Sequence, residues 1–414
     1  MADLPRLPAF DSTIDFFREG YPFISSRCAD LGTDLFETRL MLKRVVCMRG
    51  REAAKAFYGG RMTRRRAMPR SVLRLLQDEG SVQSLDGAAH AARKATFMAM
   101  MTPEAIADLD ARFERAWREA MPGWSAGGRV RLCEALPPLL TRVAAGWIGL
   151  PLAAADVGRR SGELSAMIER AASVGPANWL ARLRRDRSEA WLLGLVQDAR
   201  AGRMLVCANS PFARLLGHDD GDGHPLDDAV VAVELLNLLR PIVAVERFIT
   251  FAALMLHRHP VWRERLVDGP EDDRQAFVTE VRRLCPFFPV IAGRVREGVT
   301  VAGHDFAPGR WLMLDLYGTN RDPRLFPDPD RFDPARFIDW AGDPHAPVPQ
   351  GGGDFFHDHR CPGEWATIAL VRRAALLLAG GMAYEIPQQD LSIDLTRIPA
   401  RVASGFVLTE LRAA

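Results

Sequence analysis

The chain has 414 residues, long enough to bury a large core, and its 48% hydrophobic and 26% charged residues exclude a collagen-like or disordered protein. Its 54 Lys and Arg against 52 Asp and Glu leave a net charge of +2, so no long-range field argues for nucleic acid or an anionic membrane. No run of 18 apolar residues occurs and residues 1–12 lack a basic, then apolar, leader, which reads as a cytoplasmic protein without a stable membrane anchor.

In chain order, Phe36–Met48 is β-branched and apolar up to Gly50 and is predicted as strand. Apolar residues at three- and four-residue steps predict helices over Pro103–Ala120, Leu136–Ile148, Gly162–Ala172, Ser188–Ala201, Asp228–His257 and Asp272–Leu284. Val299–Leu316 reads as strand, Gly-His-Asp turn, strand; a last helix is predicted over Pro362–Leu378, and Ser404–Leu411 as a closing strand. No internal repeat or linker divides the chain, so residues 1–414 read as one domain, mainly α with a small β portion. Cys28, Cys47, Cys133, Cys207, Cys285 and Cys361 show no short paired spacing, which excludes a disulfide scaffold or zinc ribbon; the first five are expected to be buried small hydrophobes.

Cys361 differs because of its surroundings, Gln350-Gly-Gly-Gly-Asp-Phe-Phe-His-Asp-His-Arg-Cys-Pro-Gly-Glu364, followed directly by the apolar-periodic Trp365–Leu378. Pro362 is expected just inside a helix N-terminus, where free N–H groups hold a sulfur as thiolate, a nucleophile or a metal ligand. The three glycines are no phosphate cradle, since no Gly-Lys-Ser/Thr follows. Upstream, Glu280 and Arg283 stand i, i+3 on one helical face, and Asn320-Arg-Asp-Pro323, Asp328-Pro329 and Pro334-Ala-Arg-Phe337 follow in order.

This order resembles the cytochrome P-450 superfamily, and the resemblance implies that fold with haem b (iron protoporphyrin IX) as cofactor. It casts Cys361 as the axial thiolate ligand of the iron, and Glu280, Arg283 and Arg336 as the structural triad beneath the haem. Asp86-Gly-Ala-Ala-His-Ala-Ala-Arg-Lys94 resembles the family's haem-side helix, which makes His90 and Lys94 propionate partners. Arg64 and His359 match further propionate contacts, and Arg93 is left unassigned.

The family's monooxygenases carry an adjacent acid and alcohol midway along the helix above the haem. This chain instead reads Val233-Glu-Leu-Leu-Asn-Leu-Leu-Arg-Pro-Ile-Val-Ala-Val245, with Arg240 in an apolar run and Thr250 too far on to substitute. Pro241 removes a backbone N–H, so a kink is expected there. A buried Arg240 needs an anion, and its planar fork suits a carboxylate; the bland alternative is a structural pair with an acid such as Glu234.

The segments Asn237–Pro241, Arg282–Pro289, Asp315–Asn320 and Gln350–Gly353 narrow the resemblance to the bacterial fatty acid peroxygenase branch. That branch uses hydrogen peroxide, needs no redox partner protein, and hydroxylates fatty acids beside the carboxyl group. Carried over, Arg240 binds the substrate carboxylate, which itself serves as general base and acid next to Pro241, and Gln83 faces the haem from the distal side. A His at the position of Gln83 is associated with decarboxylation; a Gln implies hydroxylation. The resemblance further implies that Phe287 and Phe288, between Pro286 and Pro289, limit how the alkyl chain leaves the anchor and favour the α carbon, the alternative being that Phe288 merely packs the core. The branch departs from this chain at Asp358, where a Gly is usual, and at Glu246-Arg247, where relatives are mostly uncharged. Two rivals are a ferredoxin-driven P-450 monooxygenase and a non-catalytic haem sensor.

Overall fold

Two helix starts follow capping chemistry written into the chain as a hydroxyl followed by proline. Thr102 precedes Pro103 and accepts the Ala105 N–H at 3.3 Å, so the helix Pro103–Ala126 begins where a missing N–H costs nothing. Ser210 and Pro211 repeat the device, with Ser210 accepting from Ala213 at 3.1 Å. The computed structural model describes residues 4–78, 80–219 and 223–413. Within them the helices Leu132–Ile148, Val157–Glu169, Pro176–Arg200 and Glu271–Leu284 contain or overlap the segments their apolar period predicts. The architecture is mainly helical with small sheets, as the sequence implies. None of these helices is long and apolar enough to cross a membrane.

Helices ahead of Pro103 escape that period. Gly87–Ala99 buries His90, Arg93 and Lys94 beside Phe97 and Met98, so its inward face is largely polar and carries no hydrophobic stripe. The strand predicted at Phe36–Met48 is a hairpin, Leu35–Leu40 against Lys43–Met48, because Met41 and Leu42 both adopt φ above +50°. No Gly or Asn marks this turn; Thr13 and Asp11 hold it by accepting the two N–H groups at 2.5 and 2.6 Å. Lys43–Met48 then runs parallel to Trp311–Asp315, which pairs antiparallel with Val290–Val295, and Met62–Thr63 closes the five-stranded sheet. Val299–Val301 and His304–Phe306 form the expected hairpin, while Trp311–Asp315 leaves it for the larger sheet. The closing strand is Val407–Ala413, in a sheet with Met382–Glu385 and Arg129–Arg131.

The predicted helix Asp228–His257 is two helices, Asp228–Ala244 and Glu246–Arg258. Helical geometry continues through Pro241, and the break falls at Val245, whose N–H turns back to Ile242 O in an i→i+3 bond. The helix after the cysteine begins at Glu364, so Pro362 and Gly363 belong to the preceding turn. Cys28 and Cys47 are buried and Cys133 and Cys285 partly so, but Cys207 is exposed, contrary to expectation.

Candidate active site

The cysteine loop is closed by backbone and side-chain bonds that reach over its whole length. Cys361 N–H donates to Gln350 O at 3.1 Å, and Asp354 N–H donates to Asp358 Oδ2 at 2.7 Å. Asp358 takes no left-handed φ, and its place in the loop is this acceptor role; a Cβ on Gly353, at φ +88°, would strike its carboxylate at 2.4 Å. Burial pushes the Cys361 thiol up and Glu364 adds to this, while the Gly363 N–H, Lys94 and Arg282 pull it down. Burial also works against the Glu364 carboxylate, yet Arg282 at 2.6 Å and Arg360 at 2.7 Å hold it down at about 2. Arg282 Nε donates to Gln350 Oε1 at 3.1 Å, and the Gln350 amide donates to Thr367 Oγ1 at 3.0 Å with the sulfur 3.8 Å away. Arg282, Gln350 and Glu364 thus frame the sulfur. Sequence reasoning quoted them only as motif letters.

Four basic groups from three distant segments meet beside this loop. His90 and His359 stack with ring centroids 3.9 Å apart, Lys94 Nζ donates to the carbonyls of Asp358 and Arg360, and Arg64 lies over Phe57 at 4.3 Å. Burial, then Lys94 and Arg64, push His90 down to about 4; burial, then Arg64 and the neighbouring bases, push His359 to about 2. Lys94 is lowered to about 8 by burial, and Arg64 is lowered by the same cause. Among the described residues none of the four forms a salt bridge, and the nearby Asp86 and Asp358 are engaged by Thr63 and by the Asp354 N–H. Arg64 and Lys94 are thus buried cations without an acid, flanked by two neutral imidazoles able to donate hydrogen bonds, and the two propionates of haem b fit that set of donors.

The helix Asp228–Ala244 is buried over most of its length, yet Pro241 in its last turn is exposed, which marks open space against that face. Arg240 beside it is 5% exposed. Its guanidinium donates to Leu75 O at 3.2 Å, to Leu76 O, and to Asn237 Oδ1 at 3.1 Å. Burial, with Arg185 adding to it, lowers Arg240 to about 9, and no described carboxylate lies within ion-pair distance. Glu234 is not its partner. That carboxylate accepts from Arg93 and the Val82 N–H, both at 2.7 Å, and from the Asn237 amide at 3.0 Å. Arg93, unassigned by sequence, therefore anchors the distal helix, and Asn237 links Arg240 to Gln83 Oε1 at 3.4 Å. Glu246 and Thr250 do form an acid–alcohol hydrogen bond, 3.0 Å long, but they line a small cleft with Cys133, Cys285, Ala400 and Arg401. Arg247 turns to Glu169 and to Glu246 at 3.4 Å.

Phe287 and Phe288 lie in the turn between the Glu271–Leu284 helix and the strand Val290–Val295, half-buried, with ring centroids 4.3 Å apart and Phe287 packed 5.3 Å from Phe248. Glu280 and Arg283 are wholly buried and joined by two bonds of 2.6 and 2.8 Å, and Arg336 Nε reaches Glu280 at 3.3 Å. Arg283 also donates to Asn320 O and Pro329 O at 2.7 and 2.8 Å, tying the segments that follow it in sequence to the Glu280–Arg283 pair.

Comparison with known proteins agrees with this geometry. The cytochrome P-450 family pattern matches residues 274–365. A putative cytochrome P-450 135B1 of Mycobacterium tuberculosis is 29% identical over 212 residues; the match takes in 47% of this chain and 43% of that protein, so it spans less than half the length of this curated relative. Solved structures match along the whole chain. Cytochrome P-450SP alpha (CYP152B1) in complex with (R)-ibuprophen is 40% identical over 97% of this chain and 99% of its own, with a TM-score of 0.94. Cytochrome P-450EX alpha (CYP152N1) with myristic acid is 38% identical over 100% of both, at 0.97. A variant of cytochrome P-450 OleT in complex with arachidonic acid is 30% identical over 100% of this chain and 99% of its own, at 0.96. With such likeness over essentially its full length, the chain belongs to the cytochrome P-450 family, in the group that these solved structures represent.

Proposed function

We propose that the chain is a hydrogen peroxide-dependent fatty acid hydroxylase that acts mainly on the α carbon and needs no redox partner protein. The observation that carries this reading is Arg240: a buried guanidinium with no carboxylate among the described residues, next to the open face at Pro241. Relatives of the same length bind myristic and arachidonic acids, which supports a fatty acid as the missing anion.

Cys361 supplies the thiolate, and Arg64, His90, Lys94 and His359 hold the two propionates, their depressed basicity recovering when the anions arrive. Glu280, Arg283 and Arg336 brace the layer beneath. Haem b, held there, would supply the iron that activates peroxide for oxygen transfer. Arg240 grips the fatty acid carboxylate above that site, and Asn237 sets the angle of the guanidinium. No acid–alcohol pair stands there, so the substrate carboxylate takes the peroxide proton and returns it to the departing oxygen. Gln83, whose amide oxygen accepts from Asn237, contributes no titrating proton. Phe287 and Phe288 confine the first carbons of the chain, and a cytoplasmic location fits a fatty acid and peroxide as the only partners.

The test is purified holoenzyme with myristate and peroxide and no reductase, read by mass spectrometry of derivatised products. Product made only with ferredoxin, reductase and oxygen overturns the reading in favour of a monooxygenase. Haem binding without product under either condition leaves a sensor.

A further inference from the structure

Tyr21, which belongs to neither the haem-side nor the carboxylate-side residues, reaches into the turn that carries Phe287 and Phe288. It is 1% exposed and sits at the junction of the helices Thr13–Glu19 and Phe23–Asp30, where its own N–H donates to Leu395 O at 3.1 Å. Its hydroxyl lies 2.7 Å from Pro286 O and 2.5 Å from Phe287 O, and it accepts the Ala400 N–H at 3.1 Å. Burial raises the phenol well above the ordinary tyrosine range, so it stays protonated and remains a donor. The far end of the turn is held by the Leu316 and Tyr317 N–H groups, which donate to Pro289 O at 2.8 and 3.2 Å, but its first half has no such tie. Pro286 and Pro289 have no N–H, Phe287 N–H is spent on Cys285 O, and the hydroxyl is the partner of both carbonyls among the described residues. Below it, Phe287 is wedged between Phe248 and Phe288.

We propose that Tyr21 is a positioning residue for product selectivity: its hydroxyl fixes the Pro286–Phe287 backbone, and through it the two phenylalanine rings that decide which carbon is oxidised. The inference rests on the fatty acid hydroxylase reading above. One carbon corresponds to about 1.3 Å along an extended chain, and a displacement of about 1 Å is enough to change rates substantially. Two carbonyls released from a shared donor permit a shift of that size.

Tyr21→Phe removes one oxygen and keeps the ring against Tyr317, 5.2 Å away. Its control is Thr38→Val, which removes the buried hydrogen bond between Ser12 and Thr38, 2.8 Å long, in the hairpin strand Leu35–Leu40, with no bond to the turn. Both are assayed as holoenzyme with myristate and peroxide, alongside their thermal midpoints. In Tyr21→Phe the ratio of 2-hydroxy to 3-hydroxy product is expected to fall about threefold or more, while Thr38→Val keeps the parent ratio at a similar loss of midpoint. An unchanged ratio in Tyr21→Phe, or equal shifts in both variants, overturns the inference. So does a Tyr21→Phe chain that fails to fold where Thr38→Val folds, which marks the hydroxyl as a stability element only. Absence of product from the parent enzyme refutes the hydroxylase reading instead, and is distinguishable from these.

Discussion

Replacing Arg240 by Met is expected to stabilise the substrate-free protein while destroying its response to fatty acid. Arg240 is lowered from 12.5 to about 9 by burial, and at about 1.36 kcal/mol per unit this penalises the folded state by on the order of 5 kcal/mol. Its bonds to Leu75, Leu76 and Asn237 return about 1 kcal/mol each. An unbranched apolar side chain of similar length removes both terms, leaving a gain of about 2 kcal/mol, which for a chain of this size is about 2 °C in thermal midpoint. The penalty is present in full below a pH of about 9 and fades only as pH climbs toward the unfolded value, so the gain should be flat around neutrality. Myristate at a hundredfold excess over its Kd adds about 2.7 kcal/mol to the parent. The variant, having lost one partner of a buried charge pair worth about 3–5 kcal/mol, gains almost nothing. The order of the two midpoints therefore reverses when acid is added. Thermal unfolding with and without myristate measures this, and an Arg240→Met protein that is less stable without acid, or equally stabilised by it, refutes the anchor.

Cys361→Ser should lose the thiolate-type Soret band of the reduced carbon monoxide complex; a retained band means another ligand holds the iron. Phe288→Gly opens space beside Phe287 and should move product toward the 3-hydroxy acid, and an unchanged product distribution shows that the ring merely packs. Glu246 is pushed up to about 8 by burial, so its ionisation costs the folded state more as pH rises from about 4.5 to 8. Glu246→Gln should match the parent in thermal midpoint near pH 5 and exceed it at pH 8; a gap that does not widen with pH places the ionised carboxylate in a satisfied pair with Arg247.

What the sequence made legible was contiguous. The run from Gln350 to Glu364 and the short stretches holding Glu280, Arg283 and Arg336 keep their order because each is a local turn or helix face. An isolated cation in an apolar helix was equally visible at Arg240. The pairs that hold those pieces were not, because they join residues far apart in the chain. Arg93 and Glu234 are 141 positions apart, and Tyr21 and Pro286 are 265 apart. Secondary structure failed where burial and polarity part company: Gly87–Ala99 hides three basic residues and shows no apolar stripe, and the Met41-Leu42 turn relies on Asp11 and Thr13 rather than on glycine. The break at Val245 was placed at Pro241 because the missing N–H was counted and the continued helical dihedrals were not.

The distal side contains one further lesson about how charge is distributed. The carboxylates nearest Arg240 are committed elsewhere: Glu234 accepts three donors and Glu189 is bonded by Arg185, while Glu246 is hydrogen-bonded by Thr250 in a separate cleft. What faces the open side near Pro241 is a cation that burial has made costly and a neutral amide network through Asn237 and Gln83. Such a site has no proton acceptor of its own for peroxide, and on the hydroxylase reading it acquires one only when a fatty acid is bound. On that reading the protein is unreactive toward peroxide without substrate, since peroxide meets no base until the carboxylate is in place.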